Sequence, residues 1–260
     1  AKIAGALTGP GLVAALAMGP AYAAVACLYA GSALLTFKAG GAKPRAAASA
    51  ARPSPWRDLK QGLVYVWNTP LLLAVMCLAF LLNLTAFPLI NGLLPYVAKE
   101  VYRADQTWLG YMVAGAASGA LLSSIVLSRL GHALPPARVT VLACVAWYAA
   151  LLVFAHVQQP AAGIAVLFLA GFAQSASQVP MAALLLRNAD EQLRGRVMGI
   201  RMLAIYGNLP GLLISGPLIA HFGYPLTATL YCMVGFAFTL LITLRWRAQL
   251  WRAGAPANAL

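Results

Sequence analysis

Eight apolar stretches lie end to end along this chain, and its lysines and arginines fall almost entirely in every second gap between them. The stretches are Ile3–Met18, Ala21–Phe37, Pro70–Leu94, Trp108–Leu127, Val139–Ala155, Ala161–Leu186, Met198–Ala220 and Leu226–Leu244. A run of about 17 to 25 apolar residues is long enough to cross the hydrocarbon core as a helix. With the first gap outside, one face of the membrane receives Lys2, then Lys38, Lys43, Arg45, Arg52, Arg57 and Lys60, then Arg129 and Arg138. The same face takes Arg187, Arg194, Arg196 and Arg201, and finally Arg245, Arg247 and Arg252. That is 16 of the 18 basic residues, with only Lys99 and Arg103 left opposite. Lys and Arg near span ends mark the cytoplasmic side. The expectation is a multi-pass protein of the inner (plasma) membrane with both ends of this sequence in the cytoplasm.

Composition excludes a soluble enzyme domain. The chain is 62% hydrophobic and 9% charged, against about 25% charged in soluble domains. The net charge of +13 reads as topogenic charge that also meets anionic lipid headgroups, rather than as a nucleic-acid surface. Cys27, Cys77, Cys144 and Cys232 stand singly inside apolar spans and behave as small hydrophobes. His132, His156 and His221 sit near span ends, and none is within four residues of another His or a Cys. No catalytic triad, phosphate-binding loop or zinc spacing is present, so neither a metal nor a cofactor is expected.

Along the chain the spans divide as two, a linker, and six. Gly19-Pro20 makes a tight turn between the first two spans, which occupy residues 1–37. Residues 38–69 form a basic cytoplasmic linker that is rich in Ala, Gly and Pro at first. It ends in an interfacial helix opened by Ser54-Pro55, with Asp58 in its first turn and Trp56, Leu59, Leu63 and Trp67 recurring at helical spacing. Residues 70–246 hold six spans and 247–260 a cytoplasmic tail. The sequence opens at Ala1 directly in an apolar span without a signal-peptide pattern, and is read as the later part of a longer protein.

Three segments carry a family resemblance. Gly5-Ala6-Leu7-Thr8-Gly9-Pro10 resembles the Gly-x-x-x-Gly-Pro motif in the fifth helix of the major facilitator superfamily, although Val13-Ala14 stands where a Gly-Gly pair is usual. Leu193-Arg194-Gly195-Arg196-Val197-Met198-Gly199 resembles the loop entering the eleventh helix. Ser128-Arg129-Leu130-Gly131 is similar to a degenerate copy of the loop between helices eight and nine, without its aspartate. Leu59-Lys60-Gln61-Gly62-Leu63-Val64-Tyr65-Val66 and Asn91-Gly92-Leu93-Leu94-Pro95 resemble segments of a branch that includes bacterial siderophore exporters. The resemblance implies an all-α, polytopic, major-facilitator-type bundle, here in part, with about eight transmembrane helices numbered five to twelve. It implies efflux of a small siderophore- or drug-like molecule by alternating access, with the bilayer, the substrate and the upstream helices as partners and the proton as the candidate coupling ion. In the family the helix-five motif that Gly5, Gly9 and Pro10 resemble is associated with antiporter and exporter members. Arg129, Arg194 and Arg196 would hold cytoplasmic gating loops through charge contacts, or serve only as topogenic charge.

The five acids, Asp58, Glu100, Asp105, Asp190 and Glu191, all fall in loops or at the interface, and no span carries a charge near its middle. Intramembrane charges usually mark ion coupling, so this part of the chain offers no proton carrier. The polar residues inside the spans are neutral: Asn83, Thr85 and Asn91; Gln174, Ser175, Ser177 and Gln178; and Asn208. Unpaired amides in hydrocarbon cost several kcal/mol, so they either tie neighbouring helices together or line a watery path. Asn83, Phe87 and Asn91 share one helix face, as do Gln174 and Gln178, and an amide–aromatic stripe suits an amphiphilic substrate. A membrane-embedded enzyme and a non-transporting scaffold or accessory subunit are the rival readings.

Overall fold

A computed structural model describes residues 27, 30–35, 55–130 and 134–252, and every regular element among them is helical. The first span, most of the second, the linker to residue 54 and the candidate residues Gly5, Gly9 and Pro10 lie outside the described residues; residues 30–35 are helical.

Helix α1, Pro55–Asn68, ends where Thr69 precedes Pro70, because a residue before proline is driven from helical to extended backbone. Its residues sort into two apolar faces. Leu59, Gly62 and Val66 turn to the protein, while Trp56, Leu63, Val64 and Trp67 stay exposed. The single stripe read from the sequence therefore meets protein along one edge only, with Leu59 on that edge and the tryptophans on the exposed one, about 60° to 80° around the axis.

Helix α2, Pro70–Thr85, is apolar all round and packs on several sides, as such helices must. It does not stop at Leu94. Pro88 lacks the N–H for an ordinary turn, so the chain shifts to π-helical bonding over Pro88–Gly92, where Leu93 N–H donates to the Pro88 carbonyl at 2.9 Å. A turn at Leu94–Tyr96 and a second π-turn at Val97–Val101 carry the span to Val101. Gly92 and Pro95, which read as an end, are absorbed by those wider turns.

Helices α3 (Gln106–Leu130), α4 (Pro136–His156) and α5 (Pro160–Asn188) follow as single spans. The Asp105 carboxylate accepts hydrogen bonds from Thr107 and Trp108 N–H at 3.1 Å each, capping α3. α3 and α5 pack backbone to backbone: a Cβ on Gly119 would meet the Phe168 carbonyl oxygen, and one on Gly171 the Ala116 carbonyl oxygen. Small residues at such positions let membrane helices touch through their main chains. α4 joins α2 through a Thr85–Tyr148 hydroxyl pair at 2.6 Å and an edge-on Phe87–Trp147 contact at 5.1 Å.

The last long stretch, Arg194–Arg245, consists of α6 (Arg194–Ala204), a 3-10 turn at Ile205–Gly207 and α7 (Asn208–Arg245). At 52 residues it is too long for one crossing. Gly223, at φ 76° and ψ 167°, breaks it in two. The Tyr231 hydroxyl donates to the Gly211 carbonyl, although 20 residues of straight helix would separate them by about 30 Å. The chain therefore reverses at Gly223, and two arms run side by side. Helix α8, Arg247–Arg252, buries Leu250, and Trp251 lies 5.8 Å from the Arg138 guanidinium. Outside, Leu121, Leu142, Leu169, Leu213 and Phe238 are exposed, as lipid contact requires.

Candidate functional site

Three helical segments line a half-open cavity of about 270 Å³, with Asn91, Met202 and Ile205 at its exposed rim. The span Pro70–Val101 supplies Asn83, Phe87 and Asn91, α5 supplies Gln178, and the α6–α7 stretch supplies Arg201 and Asn208. Phe87 is held by its edge-on contact with buried Trp147, so one wall is a fixed aromatic surface. The 3-10 turn between α6 and α7 keeps Arg201, Ile205 and Asn208 on the same wall.

Five of the sequence candidates for a substrate path, Asn83, Phe87, Asn91, Gln178 and Asn208, thus meet at one place. Gln174 does not. It is half-buried one turn before Gln178, its carbonyl accepts from the Ser177 hydroxyl, and it is not among the lining residues. Four residues of helix advance about 400°, so Gln174 is turned some 40° from Gln178, enough to miss a cavity this small.

The amides here do not simply fasten helices. Asn83 donates to the Ala79 carbonyl of its own helix at 2.8 Å. Gln178 does reach across, its side-chain oxygen accepting from Arg201 Nη2 at 3.1 Å, with the Gln178 main-chain carbonyl 3.4 Å from the same nitrogen. Two other side-chain atoms, Gln178 Nε2 and Asn208 Oδ1, are buried without a hydrogen-bond partner among the described residues.

Arg201 corrects the sequence reading, which counted it among the cytoplasmic loop charges. It lies seven residues inside a helix that begins at Arg194, about 10 Å along the axis, and is half-buried in the cavity wall. The signal available was its i, i+4, i+7 spacing with Ile205 and Asn208, which places it on their face.

The three loop arginines Arg129, Arg194 and Arg196 differ in their surroundings. Arg196 lies 2.7 Å from the Asp58 carboxylate of α1. Arg194 is 3.6 Å from Glu191 and donates from Nε to the Ala189 carbonyl at 3.3 Å. Arg129 is exposed and makes no ion pair among the described residues. Around Arg196 the helices are close: a Cβ on Gly62 would lie 2.9 Å from Ile200 Cδ1 and 3.1 Å from Arg196 Cβ. Asp190 N–H donates to the Tyr65 hydroxyl at 3.1 Å. Gly62 and Tyr65, with Asp58, thus dock α1 against α6 and the loop before it.

The family model described as Major Facilitator Superfamily matches residues 2–208. Comparison with curated proteins gives no match.

Proposed function

The chain belongs to the Major Facilitator Superfamily, a family of membrane transporters, and on that premise we propose that it exports a small amphiphilic molecule by alternating access. The observation that carries this reading is the cavity itself. Amides, an aromatic face and one guanidinium converge in a half-open recess of a bundle whose exterior is apolar. Such convergence of a few polar groups in an otherwise apolar recess is what a ligand site requires.

In this reading the six-helix unit rocks against a second bundle supplied by the family architecture, so that the cavity opens to each side in turn. The α1–α6 contact, through Asp58 and Arg196, links the linker helix to the stretch that carries Arg201 and Asn208. The positive-inside distribution supports an orientation in the inner membrane with both ends of this segment cytoplasmic.

The test works without a candidate substrate in hand. Bacterial cells expressing the full-length transporter, or its Asn83→Leu variant at equal membrane abundance, are compared by untargeted mass spectrometry of the culture medium. An amphiphilic compound enriched outside the wild-type cells and not outside the variant is the expected result. Identical profiles, with the compound retained in neither case, would overturn the export reading.

A further inference from the structure

We propose that the molecule carried in this cavity presents an anionic group, a carboxylate, sulfonate or phenolate, to Arg201. The inference rests on the transport reading above and names the substrate class of the same site.

The argument is one of charge. Intramembrane ionisable groups are normally paired, yet Arg201 has only neutral acceptors, both from Gln178. The chain has five acids, and none lies within ion-pair distance of it. Asp58 pairs with Arg196, Glu191 with Arg194 and Glu100 with Lys99. Asp105 caps α3, and Asp190 lies in the loop before α6, its N–H on Tyr65. A guanidinium so placed keeps its full charge and most of its five donors.

The neighbouring groups point the same way. The unpartnered Gln178 Nε2 is a second donor, buried at the same wall. Donors therefore converge from two helices, and the acceptors beside them, Gln178 Oε1 and the unpartnered Asn208 Oδ1, are neutral, so the charge itself is left for an anionic oxygen to satisfy. The Phe87 face, fixed by Trp147, takes the apolar part of the ligand. The rival source of counter-charge is a carboxylate from another segment of the transporter, and the experiment decides between the two.

Ile205→Cys, on the cavity wall one turn from Arg201, is introduced into the full chain with Cys27, Cys77, Cys144 and Cys232 changed to Ala, in lipid vesicles. Its reaction rates are measured with hydroxyethyl, sulfonatoethyl and trimethylammonioethyl methanethiosulfonates, the second being itself a small organic anion. With Arg201 or Arg201→Lys, the sulfonate-to-ammonium rate ratio should exceed that with Arg201→Gln by about tenfold, as an unneutralised charge one turn away demands. A ratio indifferent to Arg201→Gln, with the hydroxyethyl reagent still reacting, overturns the anion proposal alone and shows that another carboxylate neutralises the arginine. Failure of the hydroxyethyl reagent to react shows a cavity closed to water and overturns the transport reading with it. The Arg201→Lys variant keeps the test valid if Arg201→Gln alone folds poorly.

Discussion

The Arg196 guanidinium and the Asp58 carboxylate, 138 residues apart in sequence, meet at 2.7 Å and fasten the linker helix to the stretch that lines the cavity. Both side chains are about one-third exposed, at 31% and 36%, so solvent screens the pair and its contribution to stability is modest, about 1 kcal/mol. Its value lies in position. A double-mutant cycle with Asp58→Asn, Arg196→Gln and both together should give a coupling of about 1 kcal/mol in thermal unfolding in detergent. Additive single effects would mean that the two residues act only as separate topogenic charges.

The α3–α5 contact makes a stronger claim. A Cβ on Gly119 would stand inside the carbonyl oxygen of Phe168, and main chain cannot step aside as a side chain can. Gly119→Val should part the two helices and cost at least 3 kcal/mol, in the range of severe overpacking. Gly195→Ala, where nothing lies within 4 Å, is the control and should be neutral or stabilising by up to about 1 kcal/mol. The recovery of monodisperse protein by size exclusion separates the outcomes; equal yields from both variants would refute the backbone packing.

Gly223 is a separate matter of backbone, not space. At φ 76° and ψ 167° it occupies a region that side chains exclude, while the nearest atom to an added Cβ, Pro225 Cδ, is a comfortable 3.9 Å away. Gly223→Ala should therefore destabilise by about 1–3 kcal/mol through strain alone. A melting temperature equal to wild type would show that the reversal between the arms of α7 is made some other way.

The membrane class and most span cores could be read directly, because a 20-residue apolar run and alternating basic gaps are set by the bilayer itself. What escaped had three physical causes. Arg201 stood only three residues inside the apolar run beginning at Met198, so hydropathy put it with Arg194 and Arg196, while the helix itself starts earlier, at Arg194. The two faces of α1 could not be told apart, since helical spacing orders residues around the axis without saying which face meets protein. Gln174 and Gln178 looked equivalent by spacing, and only the position of α6 and α7 beside Gln178 distinguishes them.

The orientation proposed from the charge distribution is open to direct measurement. Cysteines at Gly41 and Ala255, in a background without native cysteines, should react with an impermeant thiol reagent from the cytoplasmic side only. Protection in intact cells and reaction in everted vesicles is the expected pair of results. Labelling of either site from outside intact cells reverses the assignment.

The two glutamines of α5 give the sharpest test of the cavity. Gln178 supplies both acceptors that hold Arg201, one through its side chain at 3.1 Å, while Gln174 lies outside the lining. Gln178→Leu keeps the volume, removes the side-chain acceptor and the free Nε2 donor, and leaves the guanidinium with the main-chain carbonyl alone. Export in the medium assay should fall at least tenfold, corresponding to the loss of a charge-assisted hydrogen bond of about 1.5–3 kcal/mol. Gln174→Leu should leave export within about twofold, as a surface or packing change away from the site does. Stability must be read beside activity, because a weakened hold on Arg201 could also lower the amount of folded protein; export is therefore expressed per folded molecule. If the two variants lose export equally on that basis, the glutamines act through the helix as a whole and the cavity is not the path.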